Sequence, residues 1–186
     1  MNITPYAITF IATTISIIVL RPLAYRFGLV DVPSERKHHQ GSVPLIGGLA
    51  MFIGITLGLF SSHIINIEEN LMFFFVSSLV IILIGVADDF YGISFNKRFI
   101  FQILAALIVV KAGGVFLEDL GSLISIEKFH LGIFSTVFTV LAVVGAINMQ
   151  NFSDGIDGMS ASLSLVTLIS IAFFAYGIKE NYAFEF

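Results

Sequence analysis

Apolar runs long enough to cross a bilayer recur along the chain, and they constrain its fold more than any other feature. A membrane-spanning helix needs about 20 mostly apolar residues. Six such runs stand between short polar breaks: Ile3 to Leu20, Pro44 to Phe60, Leu71 to Ala87, Phe99 to Val110, Leu131 to Ile147 and Met159 to Gly177. The fourth reaches Leu117 if Lys111 extends its amine to the interface. Charged residues make up only 12% of the 186, about half the share in a soluble domain, too few to cover a surface facing water. The chain has no Cys, which excludes a disulfide scaffold and a thiolate metal site. It also lacks the polar low-complexity tracts of a disordered tail. A net charge of −4 offers no footing for nucleic acid. The expected fold is an all-α integral membrane helical bundle, a single domain over residues 1–186 with six transmembrane helices.

The first run has no basic residue ahead of it, while Arg21 and Arg26 follow it, so it reads as a retained span with its N-terminus outside, not as a secretory signal. Lys and Arg then orient the rest. Arg21, Arg26, Arg36, Lys37, Lys97 and Arg98 fall on one side, and Lys111, Lys128 and Lys179 on the other. The breaks after the first, third and fifth runs are therefore expected in the cytoplasm. The one long outer connection, residues 113–130, has Gly121-Ser122 between short apolar runs. That pattern suits a small outer-face hairpin, with an irregular loop as the alternative.

Six of the 13 acidic residues, Asp31, Glu35, Asp88, Asp89, Asp154 and Asp157, belong to these three breaks. Asp88 and Asp89 follow Val80 to Ala87 without a spacer. Two adjacent carboxylates repel, so they need water, a cation or a basic partner. Either they are a hydrated end that stops the span from sliding inward, or they form a cation or acid-base site facing a phosphorylated substrate, with Lys97 and Arg98 to hold phosphate oxygens. Farther on, Asn148, Asn151, Asp154 and Asp157 recur every three residues, interleaved with Gly155 and Gly158. Helical spacing brings such neighbours to one side, and the glycines let the backbone approach a ligand. Two amides and two carboxylates supply hard oxygen ligands for magnesium and acceptors for a ribose or base edge. A helix cap would need only one of them. The first break, Gly28 to Gly48, carries Arg36, Lys37, His38 and His39 among prolines and glycines. Positive-inside anchoring accounts for the Arg and Lys but not for the His pair or the Pro44 to Gly48 turn.

Three motifs together, G-L-V-D-x-P-x-x-R-K-x-H-x-G-x-x-P-x-x-G-G, G-V-A-D-D and N-x-x-N-x-x-D-G-x-D-G-M, resemble the polyprenyl-phosphate N-acetylhexosamine-1-phosphate transferases of glycosyltransferase family 4. The first loop is more similar to the undecaprenyl-phosphate N-acetylglucosaminyl-1-phosphate branch. The phospho-N-acetylmuramoyl-pentapeptide branch usually has Lys at the place of His39 and Thr-Pro-Thr-Met-Gly-Gly at Val43 to Gly48. The resemblance implies transfer of a sugar 1-phosphate, GlcNAc-1-phosphate on this reading, from a UDP-N-acetylhexosamine to undecaprenyl phosphate, with release of UMP. It implies a magnesium requirement, with manganese as substitute, and an active face on the cytoplasmic side of a bacterial inner membrane. The product would feed lipid-linked envelope polysaccharide such as lipopolysaccharide O antigen.

By the family pattern Asp88 and Asp89 are the catalytic acidic pair, and Asn151 and Asp154 are metal ligands. His39, Lys97, Asn148, Asp154 and Asp157 bind substrate. A one-step attack and a covalent phospho-Asp intermediate both fit, as do a true base and an orienting role for Asp88. A homodimer is the expected assembly, with no nucleic acid partner. Family members carry further spans and loops that bring another magnesium-binding Asp and a His-rich segment, so this chain is expected to be the N-terminal half of a larger transferase and inactive alone. The rival readings are the pentapeptide transferase, an intramembrane prenyltransferase and a transporter module.

Overall fold

The computed structural model describes residues 3–32, 41–61, 69–121, 129–153 and 158–183. Among the described residues six α-helices occupy the places of the six apolar runs, and the chain is an all-helical membrane protein. Residue contacts divide it into two compact units, Met1–Val140 and Leu141–Phe186.

The first helix, α1, covers Thr4–Phe27 and runs past the Arg21-Pro22 stop expected from sequence. Proline already has a helical φ; what ends the helix is Gly28, left-handed at φ 75°, whose N–H returns to the Ala24 carbonyl. Such a conformation is open to glycine at little cost. Two short strands follow, β1 (Val30–Asp31) and β2 (Val43–Pro44), paired antiparallel with Val30 opposite Pro44 and Asp31 opposite Val43. Pro44 thus belongs to a strand, not to the second span, and α2 begins later, at Gly47–Ser61. The hairpin arms are tied to α1 by the Tyr25 hydroxyl, which donates to the Ser42 carbonyl at 3.1 Å. Beneath them Ala24, Leu29 and Ile46 form a small buried core.

α1 and α2 pack closely because α2 presents a stripe of small residues, Ala50, Gly54 and Gly58, one turn apart. A Cβ on Gly54 would lie 2.8 Å from the Thr9 carbonyl oxygen, and one on Gly58 would lie 2.9 Å from that of Pro5. Where lipid removes the hydrophobic drive between helices, such close backbone approach supplies much of the packing.

Next come α3 (Glu69–Tyr91) and α4 (Phe95–Leu107), the latter continued by a π-helical turn, Ile108–Ala112. They form an antiparallel pair joined by residues 92–94. Ser77 on α3 donates its hydroxyl to the Ala105 carbonyl on α4 at 2.8 Å, in a buried contact. The arms of the 113–130 connection pair antiparallel around Asp119 and His130, as the hairpin reading expects. Its far end, residues 122–128, lies outside the described residues. The chain then makes a short 3-10 turn (Gly132–Phe134) and enters α5, Ser135–Ser153. Ser135 and Thr139 on α5 bond the Leu117 carbonyl and N–H, which fixes the outgoing arm of the connection to α5. After Gly158, again left-handed at φ 75°, α6 covers Met159–Ala183.

Among the described residues four helices, α1, α3, α5 with its leading turn and α6, are long and apolar enough to cross a membrane. The 15 residues of α2 extend only about 22 Å at 1.5 Å per residue, short of a hydrocarbon core of about 30 Å. The β1–β2 pairing removes three residues from its expected start.

Candidate functional site

The acidic pair does not follow a helix, as the apolar run suggested. It sits on the last turn of α3, which continues to Tyr91. Nor are Lys97 and Arg98 in a loop, since they occupy the first turn of α4. The backbone connection is tight. Gly92, at φ 60°, donates its N–H to the Asp88 carbonyl at 2.7 Å, and the N–H groups of Lys97 and Arg98 reach the Ser94 carbonyl at 3.0 and 3.2 Å.

This places every one of the four charges at the wrong helix end. A helix C-terminus carries partial negative charge and favours cations, while an N-terminus favours anions. The last turn of α3 has two carboxylates and no basic residue, and the first turn of α4 has two cations and no acidic one. Local helix stability therefore cannot explain the arrangement. Chemically, it sets a cation-attracting end beside an anion-attracting end across one three-residue turn.

Asp88 and Asp89 are not equivalent. Asp88 is eleven residues from Ser77, three helical turns, so both lie on the face turned to α4. There Arg98 Nη1 donates to Asp88 Oδ2 at 2.6 Å, with the two side chains 31% and 20% exposed. The Arg98 Nε is buried with no hydrogen-bond partner among the described residues, so the guanidinium is drawn inward as a latch. Asp89 lies on another face of α3 and is exposed, as is Lys97. From its place in the sequence Arg98 could hold a phosphate oxygen; in the structure its Nη1 is bonded to Asp88. The inverted charges at adjoining helix ends were the signal that could have shown it.

In the second unit, Asn148 and Asn151 lie one turn apart near the end of α5. Asn148 donates its amide to the Val144 carbonyl at 2.8 Å, and Asn151 is exposed. Gln150, which sequence reasoning passed over, donates from Nε2 to the Ser160 carbonyl at 3.1 Å, to Ser160 Oγ at 2.7 Å and to Ser164 Oγ at 2.8 Å. It ties α5 to the first turns of α6. The visible clue was an amide followed by two serines four residues apart. His39, Asp154 and Asp157 lie outside the described residues, as do Arg36 and Lys37. Among the described residues no three acidic or imidazole side chains converge on one point. The first unit holds the carboxylates of Asp88 and Asp89, and the second the Asn151 amide oxygen; each is a hard oxygen donor of the kind that suits magnesium.

Glycosyl transferase family 4 matches over residues 71–186, and the chain belongs to that family. It is 39% identical over 175 residues to the undecaprenyl-phosphate alpha-N-acetylglucosaminyl 1-phosphate transferase of Pasteurella multocida, covering 94% of this chain and 48% of that one. Against the Haemophilus influenzae transferase of the same name, identity is 36% over 135 residues, 73% of this chain and 38% of the relative. A probable undecaprenyl-phosphate N-acetylglucosaminyl 1-phosphate transferase of Bacillus subtilis is 34% identical over 138 residues, with 72% and 38% covered. The chain spans about half the length, or less, of these curated relatives. No solved structure matches it.

Proposed function

We propose that this chain forms part of a transferase that moves N-acetylhexosamine 1-phosphate, GlcNAc-1-phosphate in particular, from a UDP-sugar to undecaprenyl phosphate at the cytoplasmic face of a bacterial inner membrane. The observation that carries the reading is the charge-inverted turn between α3 and α4. The names of the relatives support the lipid acceptor and the sugar.

In this reaction an oxygen of the lipid phosphate attacks the phosphorus that bears the sugar, the bond to the other phosphate of the UDP breaks, and UMP leaves. Such a transfer depends on neutralising charge and holding the groups in line more than on covalent help from the protein. A phosphate monoester has a second pKa near 6, so the acceptor is already ionised at neutral pH. Asp89 therefore orients the acceptor and grips its counter-ion, with no strong base required. Lys97, exposed on α4, pairs with phosphate oxygens. Asn151 and Asp154 are the magnesium ligands, while His39, Asn148 and Asp157 contact the nucleotide sugar. Magnesium, or manganese in its place, would neutralise the diphosphate and stabilise the leaving UMP.

The test uses the full-length protein in membrane vesicles. Labelled UMP should exchange into UDP-GlcNAc only when undecaprenyl phosphate and magnesium are present. Vesicle uptake of a solute without any exchange would instead identify a transporter and overturn the reading.

A further inference from the structure

The fourth apolar run leaves its helix before its apolar residues end. α4 and its π-helical turn stop at Ala112, yet Gly113-Gly-Val-Phe-Leu117 continues without a charge until Glu118. The break is tight. The Gly113 N–H returns to the Ile108 carbonyl at 3.1 Å and the Val115 N–H to the Val109 carbonyl at 3.3 Å. A Cβ on Gly113 would lie 2.6 Å from the Val109 oxygen, so the chain can fold back there only at a glycine.

Both ends of this arm, residues 113–117, lie at levels inside the apolar spans of neighbouring helices. A Cβ on Gly113 would be 3.5 Å from the Cβ of Phe73, which stands two residues into the span Leu71–Tyr91. At the other end Leu117 is bonded to Ser135 and Thr139, three and seven residues into the span Gly132–Ser153. These levels are about 3 to 10 Å from the ends of the two spans at 1.5 Å per residue.

Backbone that is not helical is tolerated at such depth only where its polar groups are bonded within the protein. Leu117 meets that condition through two side chains of α5. Thr139 Oγ1 accepts from the Leu117 N–H at 2.9 Å and donates to the Ser135 carbonyl at 2.7 Å, while the Ser135 hydroxyl donates to the Leu117 carbonyl. Both residues are buried. The apolar side chains have the opposite placement. Val115, Phe116 and Leu117 are exposed, as are Ile133, Phe134 and Val137 at similar levels of α5 and its leading turn.

We propose that residues 113–117 form a re-entrant arm embedded in the leaflet opposite the α3–α4 turn, with Val115 and Phe116 seated among the acyl chains of its phospholipids. Continuity with the span identifies the occupant as hydrocarbon, since the arm is bonded to α5 at the depth of that helix's exposed apolar residues. The first charges, Glu118 and Asp119, come where the chain pairs with residues 129–131, ahead of the span. The placement of the arm does not depend on the reaction proposed for the other end of α4.

The experiment uses the full-length protein, on a background without other reactive cysteines, in phosphatidylcholine vesicles. A nitroxide is attached in turn to Val115→Cys, Phe116→Cys, Val137→Cys and Glu118→Cys. Power saturation then compares collisions with oxygen, which concentrates in hydrocarbon, and with a nickel chelate, which stays in water. The oxygen-to-nickel ratio at Val115 and Phe116 should match that at Val137 and stand several-fold above that at Glu118. A ratio as low as at Glu118 would put the arm in water and overturn the proposal. Few collisions with either reagent would show protein covering the arm, and would overturn it equally. To keep the arm's own side chains, the unmodified protein is also photolabelled with phosphatidylcholine bearing an acyl-chain diazirine. Adducts should map to residues 115–117 as well as to α5; adducts on α5 without any on the arm would overturn the proposal.

Discussion

Exchanging the charges of Asp88 and Arg98 is expected to leave the fold at least as stable as before while destroying transfer. Arg98→Gln alone removes a charge-assisted hydrogen bond of 2.6 Å and leaves Asp88 at a helix end of the same sign. Bonds to charged groups contribute about 1.5–3 kcal/mol, and with the pair 20–31% exposed the lower part of that range applies. The double variant Asp88→Arg/Arg98→Asp rebuilds the pair in reverse. It also puts a cation at the C-terminus of α3 and an anion at the N-terminus of α4. Each placement is favourable by about 0.3–1 kcal/mol and replaces one unfavourable by as much, so the swap should gain about 1.2–4 kcal/mol over the native chain. Unfolding of the full-length protein in detergent, followed for native, both single variants and the double, yields the coupling energy directly. UMP exchange on the same samples reports function. A double variant no more stable than the weaker single one would refute the reasoning, as would a swapped protein that still exchanges UMP.

Asp89→Asn in the full-length enzyme should lower turnover by at least about a hundredfold, the scale of losing one electrostatic group at a reacting centre; unchanged turnover at normal expression would remove Asp89 from the site. Chelation should abolish exchange and added magnesium or manganese should restore it, whereas activity persisting in chelator would exclude the metal. Gly54→Val should destabilise the α1–α2 pair by about 1–3 kcal/mol through overpacking, while Gly85→Ala, with open space around it, should not; equal melting shifts would contradict the close approach. Gln150→Leu should loosen α6 from α5 at a cost of about 1–2 kcal/mol, visible as faster amide exchange at Ser160 to Ser164, and unchanged exchange would count against the clasp.

Much of this protein is legible in its sequence because its solvent is so demanding. A bilayer accepts backbone only when its polar groups are bonded internally, so apolar runs of the right length had to become helices, and six did. The motif residues were readable for the same reason, since a carboxylate or amide beside an apolar span calls for an explanation. Boundaries were less legible. The run at Pro44 looked like the start of a span, but pairing with Val30 made it a strand, and only a partner distant in sequence could decide that. Likewise Asp88 and Asp89 read as one unit. Their separation depended on which face of α3 meets α4, a fact supplied by Ser77 and Arg98.

The sequence by itself determined a helical membrane protein and the residues rich in chemistry, because composition and spacing report directly on solvent and on local geometry. Tertiary structure alone decided that Arg98 reaches Asp88, and it alone set Phe52, Phe60 and Phe75 around a cavity between α2 and α3. Those outcomes depend on helix rotation and on contacts between segments, which hydrophobic pattern leaves open when nearly every face of a helix is apolar.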